Sequence, residues 1–171
     1  MRANMFLGMA GAAAAMALVF AAFSAPAAAT TATANLGVTA TVTNNCTIST
    51  AALAFGSYDP VVANASTNLD GTGTVSVACT KGTSATVGLG LGANASGSTR
   101  RMTDGSGNYL TYELYQDAGH VTVWNTGAGL LSPAAAPSKA TRNFTVYGQV
   151  ASNQDVTAGS YSDTVVASVN F

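Results

Sequence analysis

The first side chains in this sequence that could do chemistry are its two cysteines, Cys46 and Cys79. In an exported chain, an isolated pair of cysteines indicates one disulfide. Closing a loop of 33 positions would stabilise the fold by about 3–4 kcal/mol in the chain-entropy model. Two free buried thiols are the alternative. No cluster of His and Cys accompanies the pair, so we expect a disulfide and neither a metal nor another cofactor.

Catalytic residues are not apparent. His120 is the single histidine, and a Ser-His-Asp arrangement needs a histidine that an acid orients towards a nucleophile. No nucleophile-elbow motif surrounds a serine. The glycines of residues 88–92 lack phosphate-loop spacing and indicate a glycine-interrupted strand. We interpret Arg100 and Arg101 as a solvated loop pair, and we expect that the protein is not an enzyme.

Five aromatic residues could form a sugar-binding platform or could pack inside a β fold. Aromatic side chains are common in strands and in cores, which favours packing. The five are Tyr112, Tyr115, Trp124, Tyr147 and Tyr161.

The N-terminal segment has the pattern of a secretory signal peptide. Arg2 precedes an uncharged, Ala-rich run over residues 5–23, and small residues follow. This pattern predicts cleavage after Ala29, with Ala27 as the second choice. An uncleaved membrane anchor is the alternative, because the run is just long enough to span a bilayer. The predicted domains are therefore a signal peptide at 1–29, an extension at 30–43 and a β domain at 44–171, with no stable membrane insertion after cleavage.

The charge content excludes nucleic-acid binding. Only 8% of the residues are charged, and seven acidic residues accompany six basic ones. Phosphate neutralisation needs clustered Lys and Arg, which this sequence lacks. A folded chain with so few charges has little to oppose self-association.

The order of apolar and polar residues predicts an all-β protein. Short alternating runs are separated by Gly, Asn, Asp, Ser and Pro, which is typical of half-buried strands in an antiparallel sandwich. We predict loops over 64–73, 94–107 and 127–139. The predicted strands are 34–43, 53–58, 74–79, 85–91, 110–114, 121–124, 144–150 and 161–171.

The two ends of the chain suggest how copies could join. The last predicted strand has no further segment to pair with, which predicts an open acceptor groove beside Tyr161, Val165, Ala167, Val169 and Phe171, and we expect Phe171 to face inward. An open apolar edge promotes association with another strand. At the other end, residues 34–42 would extend about 30 Å as a strand. This surplus strand could be donated to a neighbour, with an inward face formed by Ala34, Leu36, Val38, Ala40 and Val42.

Pattern alone leaves a second interpretation open. Residues 34–42 could be the first strand of a complete, monomeric sandwich, because alternation does not tell which chain supplies the partner.

Several short motifs, in their order along the chain, resemble the spore coat protein U domain family, which includes subunits of archaic chaperone–usher pili. They follow Cys46 and lead to Phe171, and they are residues 53–58 (LAFGSY), 75–79 (VSVAC), 110–117 (LTYELYQD), 146–148 (VYG) and 159–165 (GSYSDTV). The resemblance implies an incomplete immunoglobulin-like sandwich that lacks its last strand. It also implies three partners: a periplasmic chaperone, an outer-membrane usher and copies of the chain or related subunits.

The resulting hypothesis is a structural subunit of a surface fibre, exported through the periplasm and polymerised by donor-strand exchange. A spore or cyst coat protein and an adhesive module at a fibre tip are the alternatives. The sequence departs from the family pattern at Gln149, where a basic residue is expected, and at Asn125, where Gly is common. Both departures concern loop contacts rather than the groove.

Overall fold

The computed structural model describes residues 27–171, so the predicted signal peptide lies almost wholly outside the described residues. The chain divides into two units at residue 39. Residues 27–39 have no regular secondary structure and their side chains are exposed. Leu36 and Val38 are 87% and 84% exposed, so neither belongs to a core in this chain. Residues 34–43, predicted as a strand, are not in a sheet. A strand needs a partner's backbone groups to form, and the described residues provide none here.

Residues 40–171 form an all-β unit in which every strand pairing is antiparallel. No helix is assigned within residues 27–171, and that part of the chain therefore has no helix that could cross a membrane. The strands are β1 (Cys46–Ala51), β2 (Leu69–Cys79), β3 (Thr86–Leu89), β4 (Arg100–Thr103), β5 (Tyr109–Tyr115), β6 (Arg142–Val150) and β7 (Ala167–Asn170).

Two sheets enclose the core. One has the order β1-β2-β6-β5-β4 and the other pairs β3 with β7. A bridge between Thr103 and Ser162 joins the free edge of β4 to the segment that leads into β7. Alternate residues of β2, β5 and β6 are buried, as the period of two predicts, and they pack against β3 and Trp124. The prediction of an all-β fold is confirmed. The largest fully buried hydrophobic residues are Val75, Val77, Val87, Trp124 and Val150.

Several element predictions were wrong. Residues 53–58, predicted as a strand, form none, and only Ala167–Asn170 of the predicted strand 161–171 is a regular strand. β2 begins at Leu69, inside the predicted loop 64–73, and β4 lies inside the predicted loop 94–107. Residues 121–124 form no strand, and a single bridge joins Val123 to Tyr115. β2 extends to Leu69 because it pairs with β6 along most of its length, from Leu69 to Val77. Tertiary pairing has thus overridden a local sequence rich in Gly, Thr and Asp.

The predicted disulfide is confirmed, because Cys46 and Cys79 are bonded to each other. The two cysteines are register partners at the start of β1 and the end of β2. Residues just before β1 are also fixed here. Thr80 donates its hydroxyl to the carbonyl of Thr43 over 3.2 Å, and its own N–H donates to the carbonyl of Asn45 over 2.9 Å.

Replacing both cysteines by alanine should lower the free energy of unfolding by about 3–4 kcal/mol, because the unfolded chain regains the freedom of the closed loop. Equilibrium denaturation monitored by tryptophan fluorescence measures this change. Reduction of the wild-type protein should reproduce most of it. An unchanged denaturation midpoint after both treatments would contradict the assignment of a stabilising role to this bond.

Candidate functional site

A groove of about 1260 Å³ opens along one side of the β unit. Small-molecule pockets usually have about 300–1,000 Å³, so this groove is large for such a ligand. We call residues 50–58 the first wall and residues 156–165 the second wall. Between them the groove is lined by buried residues of the core, including Leu89, Leu110, Leu114, Val146 and Val150.

The first wall is held against the sheet by two apolar side chains. Leu53 and Phe55 lie over Gly148 of β6, and a Cβ atom at Gly148 would be 2.7 Å from Leu53 and 2.8 Å from Phe55. At the end of the wall, Tyr58 donates its hydroxyl to the carbonyl of Ala151 over 3.0 Å. Beyond β1, residues 52–57 make no backbone hydrogen bond to another described residue. The first wall therefore has an unpaired backbone edge.

The second wall is paired on one edge only. Ser162 exchanges two backbone bonds of 2.9 Å with Thr103, and the carbonyl of Thr164 accepts from Ala93 over 3.0 Å. Alternate residues of a strand direct their N–H and C=O groups to opposite edges. The backbone groups of Tyr161, Asp163 and Val165 accordingly have no backbone partner among residues 27–171. They face the groove, which makes a second unpaired edge.

The predicted acceptor residues do not all lie in the groove. Tyr161, Val165 and Ala167 line it. Val169 instead pairs with Val87 in the two-stranded sheet. Phe171 is 57% exposed, so the expectation that it faces inward is wrong for this chain alone. Neither Val169 nor Phe171 lines the groove.

One acidic side chain lies on the inner face of the second wall. Asp163 accepts a hydrogen bond from the Tyr112 hydroxyl over 2.7 Å. Its other oxygen accepts from the backbone and side-chain nitrogens of Asn94, over 3.1 Å and 3.0 Å. Burial raises the pKa of Tyr112, and the bond to Asp163 raises this pKa further, so the hydroxyl stays a donor. Gly92 has a φ of +94° and leaves no room for a Cβ atom beside the Asp163 carboxylate.

The interpretation of Arg100 as solvated is wrong. Its side chain is 0% exposed and forms an ion pair with Glu113 of β5. The same guanidinium donates to the carbonyls of Leu89, Gly90 and Trp124 over 2.8–3.1 Å. A buried charge needs such partners, and together they join both sheets.

The neighbouring Arg101 lies over the ring of Tyr109, 3.9 Å from the ring centroid. It is half-buried, so it too is not a freely solvated side chain.

The aromatic residues do not form one platform. Trp124 is 0% exposed and Tyr112 is 8% exposed, and the indole donates to the carbonyl of Val87 over 2.9 Å. Tyr115 and Tyr147 are register partners on the outer face of the large sheet. This arrangement supports packing rather than a shared sugar-binding surface.

His120 packs edge-on against Tyr115, with ring centroids 5.0 Å apart. Its hydrogen-bond neighbour is the side-chain nitrogen of Gln149, 3.2 Å from Nδ1. Within residues 27–171, neither a serine nor a threonine hydroxyl forms a hydrogen bond with this ring. In the described part of the chain, no group of three or more His, Cys, Asp and Glu side chains could hold a metal ion.

The two departures from the family pattern both make local contacts. Gln149 donates to Asp70 over 3.0 Å, where a basic residue would make an ion pair instead. Asn125 accepts from the N–H groups of Gly127 and Gly129, over 2.8 Å and 2.9 Å, and closes that turn. Neither residue lines the groove.

Family comparison matches this architecture to a known domain. The family model of the Spore Coat Protein U domain matches residues 32–168. The chain belongs to the Spore Coat Protein U domain family. One relative in this family is Protein U of Myxococcus xanthus, 43% identical over 159 residues that cover 85% of this chain and 88% of the relative.

A solved structure shares the fold of this Spore Coat Protein U domain. It is the CsuC–CsuE chaperone–tip adhesion subunit pre-assembly complex from the archaic chaperone–usher Csu pili of Acinetobacter baumannii. The TM-score is 0.57 at 24% identity, over 77% of this chain and 41% of the matched chain. This chain thus spans less than half the length of its structural match. This likeness concerns the fold, whereas the family is given by the Spore Coat Protein U domain model.

Sequence reasoning missed three residues that shape the groove of this domain, namely Gly92, Gly148 and Asp163. A signal was present for one of them. Asp163 stands at an inward position of the alternating run 161–169, and an acid at a core-facing position needs a buried partner. The two glycines gave no comparable signal, because their neighbours Phe55 and Asp163 are distant in sequence.

Proposed function

We propose that this chain is a structural subunit of a secreted surface fibre and that the subunits join by donor-strand exchange. The observation that supports this proposal is the pair of unpaired backbone edges, at residues 52–57 and at Tyr161, Asp163 and Val165, with a groove lined by core residues between them. One added strand would satisfy both edges and cover the core.

The extension of another copy has the chemistry that this groove requires. A strand between two antiparallel walls needs apolar side chains at every second position, because only one of its faces meets the core. Residues 34–42 meet this requirement over about 30 Å. Leu36 is the largest inward candidate, Val38 and Val42 are next in size, and all three are exposed in the isolated chain. The proposed donor face is Ala34, Leu36, Val38, Ala40 and Val42.

Donation from one copy to the next is a head-to-tail contact, which does not close and therefore produces a fibre. Before assembly, the open groove would expose apolar surface and an unpaired strand edge. We therefore infer a periplasmic chaperone that covers the groove and an outer-membrane usher at which the strand of the next copy or a related subunit replaces it. The proposed segments are a signal peptide at 1–29, a donor extension at 30–43 and an acceptor domain at 44–171, with the fibre at the cell surface.

Deletion of residues 31–39 tests the proposal. Co-expressed with a matching chaperone and usher, the intact chain should give denaturant-resistant ladders of high mass on unheated gels. The deleted chain should give none, although its domain remains folded and disulfide-bonded, because residues 40–171 are a separate unit. A well-behaved monomer from the intact chain, made without any chaperone, would contradict the proposal.

A coat subunit is the second candidate, and the relationship to Protein U of Myxococcus xanthus favours it. The same groove and extension could assemble a coat layer. Expression confined to sporulation would support the coat, whereas neighbouring chaperone and usher genes would support the fibre.

A further inference from the structure

Tyr112 contacts both walls of the groove. Its ring packs edge-on against Phe55 of the first wall, with centroids 6.0 Å apart. Its hydroxyl donates to Asp163 in the middle of the second wall over 2.7 Å. Tyr112 itself belongs to β5, lines the groove and is 8% exposed. A single side chain of the groove floor therefore contacts both walls.

The second wall needs such a contact because it is paired on one edge only. Its backbone bonds run from Ser162 and Thr164 to the outer side. On the groove side, the Asp163 carboxylate is the polar group tied to the floor, and its second oxygen is held by Asn94. Apart from the contact to Tyr112, the hydrogen bonds that join residues 161–165 to the rest of the β unit, outside the second wall, all lie on the side of Asn94 and β4.

We propose that Tyr112 and Asp163 are positioning residues, a cross-brace that keeps the empty groove in its strand-accepting shape. This inference rests on the proposed donor-strand function. Both residues of the brace belong to the accepting domain. The brace is therefore present before a donor strand binds. The strand that this groove accepts has the alternating apolar and polar pattern of residues 31–42.

The brace makes a prediction that a merely structural hydrogen bond does not make. If it maintains the accepting shape, its loss lowers the fraction of molecules that can bind, and the apparent affinity falls by the same fraction. If it only stabilises the fold, the empty and filled domains lose the same stability and the affinity for the donor stays constant.

The test uses the full exported chain carrying Leu36→Asp and Val38→Asp, so that it does not donate its own strand. A fluorescent peptide of residues 31–42 with the natural sequence serves as the probe, and anisotropy gives its affinity and association rate. Adding Tyr112→Phe should weaken peptide binding on the order of tenfold, the effect of one charge-assisted hydrogen bond, and should slow association. Asp163→Asn should weaken binding in the same direction, and the two effects should not add.

Tyr147→Phe is the matched control, because Tyr147 lies on the outer face of the sheet and its hydroxyl has no partner among the described residues. It should leave peptide binding unchanged. Lack of peptide binding by the parent chain would overturn the donor-strand function itself. Normal parent binding with unchanged affinity in folded Tyr112→Phe would overturn the brace alone. If Tyr112→Phe does not fold, Asp163→Asn decides by the same measurement. If neither variant folds, the pair is structural and the inference fails.

Discussion

Leu36→Asp should abolish assembly and leave the domain folded. Leu36 is 87% exposed in the isolated chain, so the substitution removes no core contact from the subunit that carries it. In the proposed filled groove, the new carboxylate would be buried without a partner, which costs several kcal/mol. The measurement is the yield of denaturant-resistant ladders, together with the circular dichroism and disulfide content of the monomer. We expect loss of the ladders and an unchanged monomer.

Thr39→Asp is the control, because Thr39 lies on the opposite face of the same alternating run. It should leave assembly nearly unaffected, since an outward side chain would remain in water. If Leu36→Asp unfolds the monomer, residues 34–42 are an ordinary core strand and donation is wrong. If both variants assemble normally, the extension does not enter the groove.

Arg100→Met should lower the free energy of unfolding by about 3–5 kcal/mol, the usual effect of breaking a buried ion pair. The loss leaves Glu113 without its partner and removes the donors to the carbonyls of Leu89, Gly90 and Trp124. Urea denaturation in a Leu36→Asp background measures the change without interference from assembly. Combining Arg100→Met with Glu113→Gln should recover part of the loss, because the unpaired charge is then absent.

Arg101→Met provides the matched comparison. The Arg101 guanidinium stacks on Tyr109 at the surface, and such a contact contributes about 0.5–1 kcal/mol. Equal effects of the two substitutions would show that burial of Arg100 does not matter for stability.

The period of two in the sequence was sufficient to predict the buried faces of β2, β5 and β6, because each of these strands has one side in the core and one outside. It also predicted the inward direction of Tyr161 and Val165. It could not predict that β1 starts at Cys46, since its own residues are exposed or half-buried and the strand exists through its pairing with β2.

Arg100 shows a different limit. Two adjacent arginines in a stretch of Gly, Ser and Asn have the local pattern of a solvated loop. The partner Glu113 is thirteen positions away, on the strand that pairs with β4, so only the pairing reveals the ion pair. Prediction of the groove from sequence has the same limit. Its apolar residues could be predicted from alternation, but its two unpaired edges are a property of the tertiary arrangement.

The disulfide has a mechanical consequence for a fibre whose subunits are joined through their extensions. Tension on the extension would enter each subunit at Thr43 and reach Cys46 at the start of β1. β1 is an edge strand of its sheet. If only hydrogen bonds held it there, tension would break these bonds one at a time. The covalent link to Cys79 transfers the load directly into β2, an interior strand. A subunit under tension could then lengthen only after β1 and β2 had been displaced together from β6.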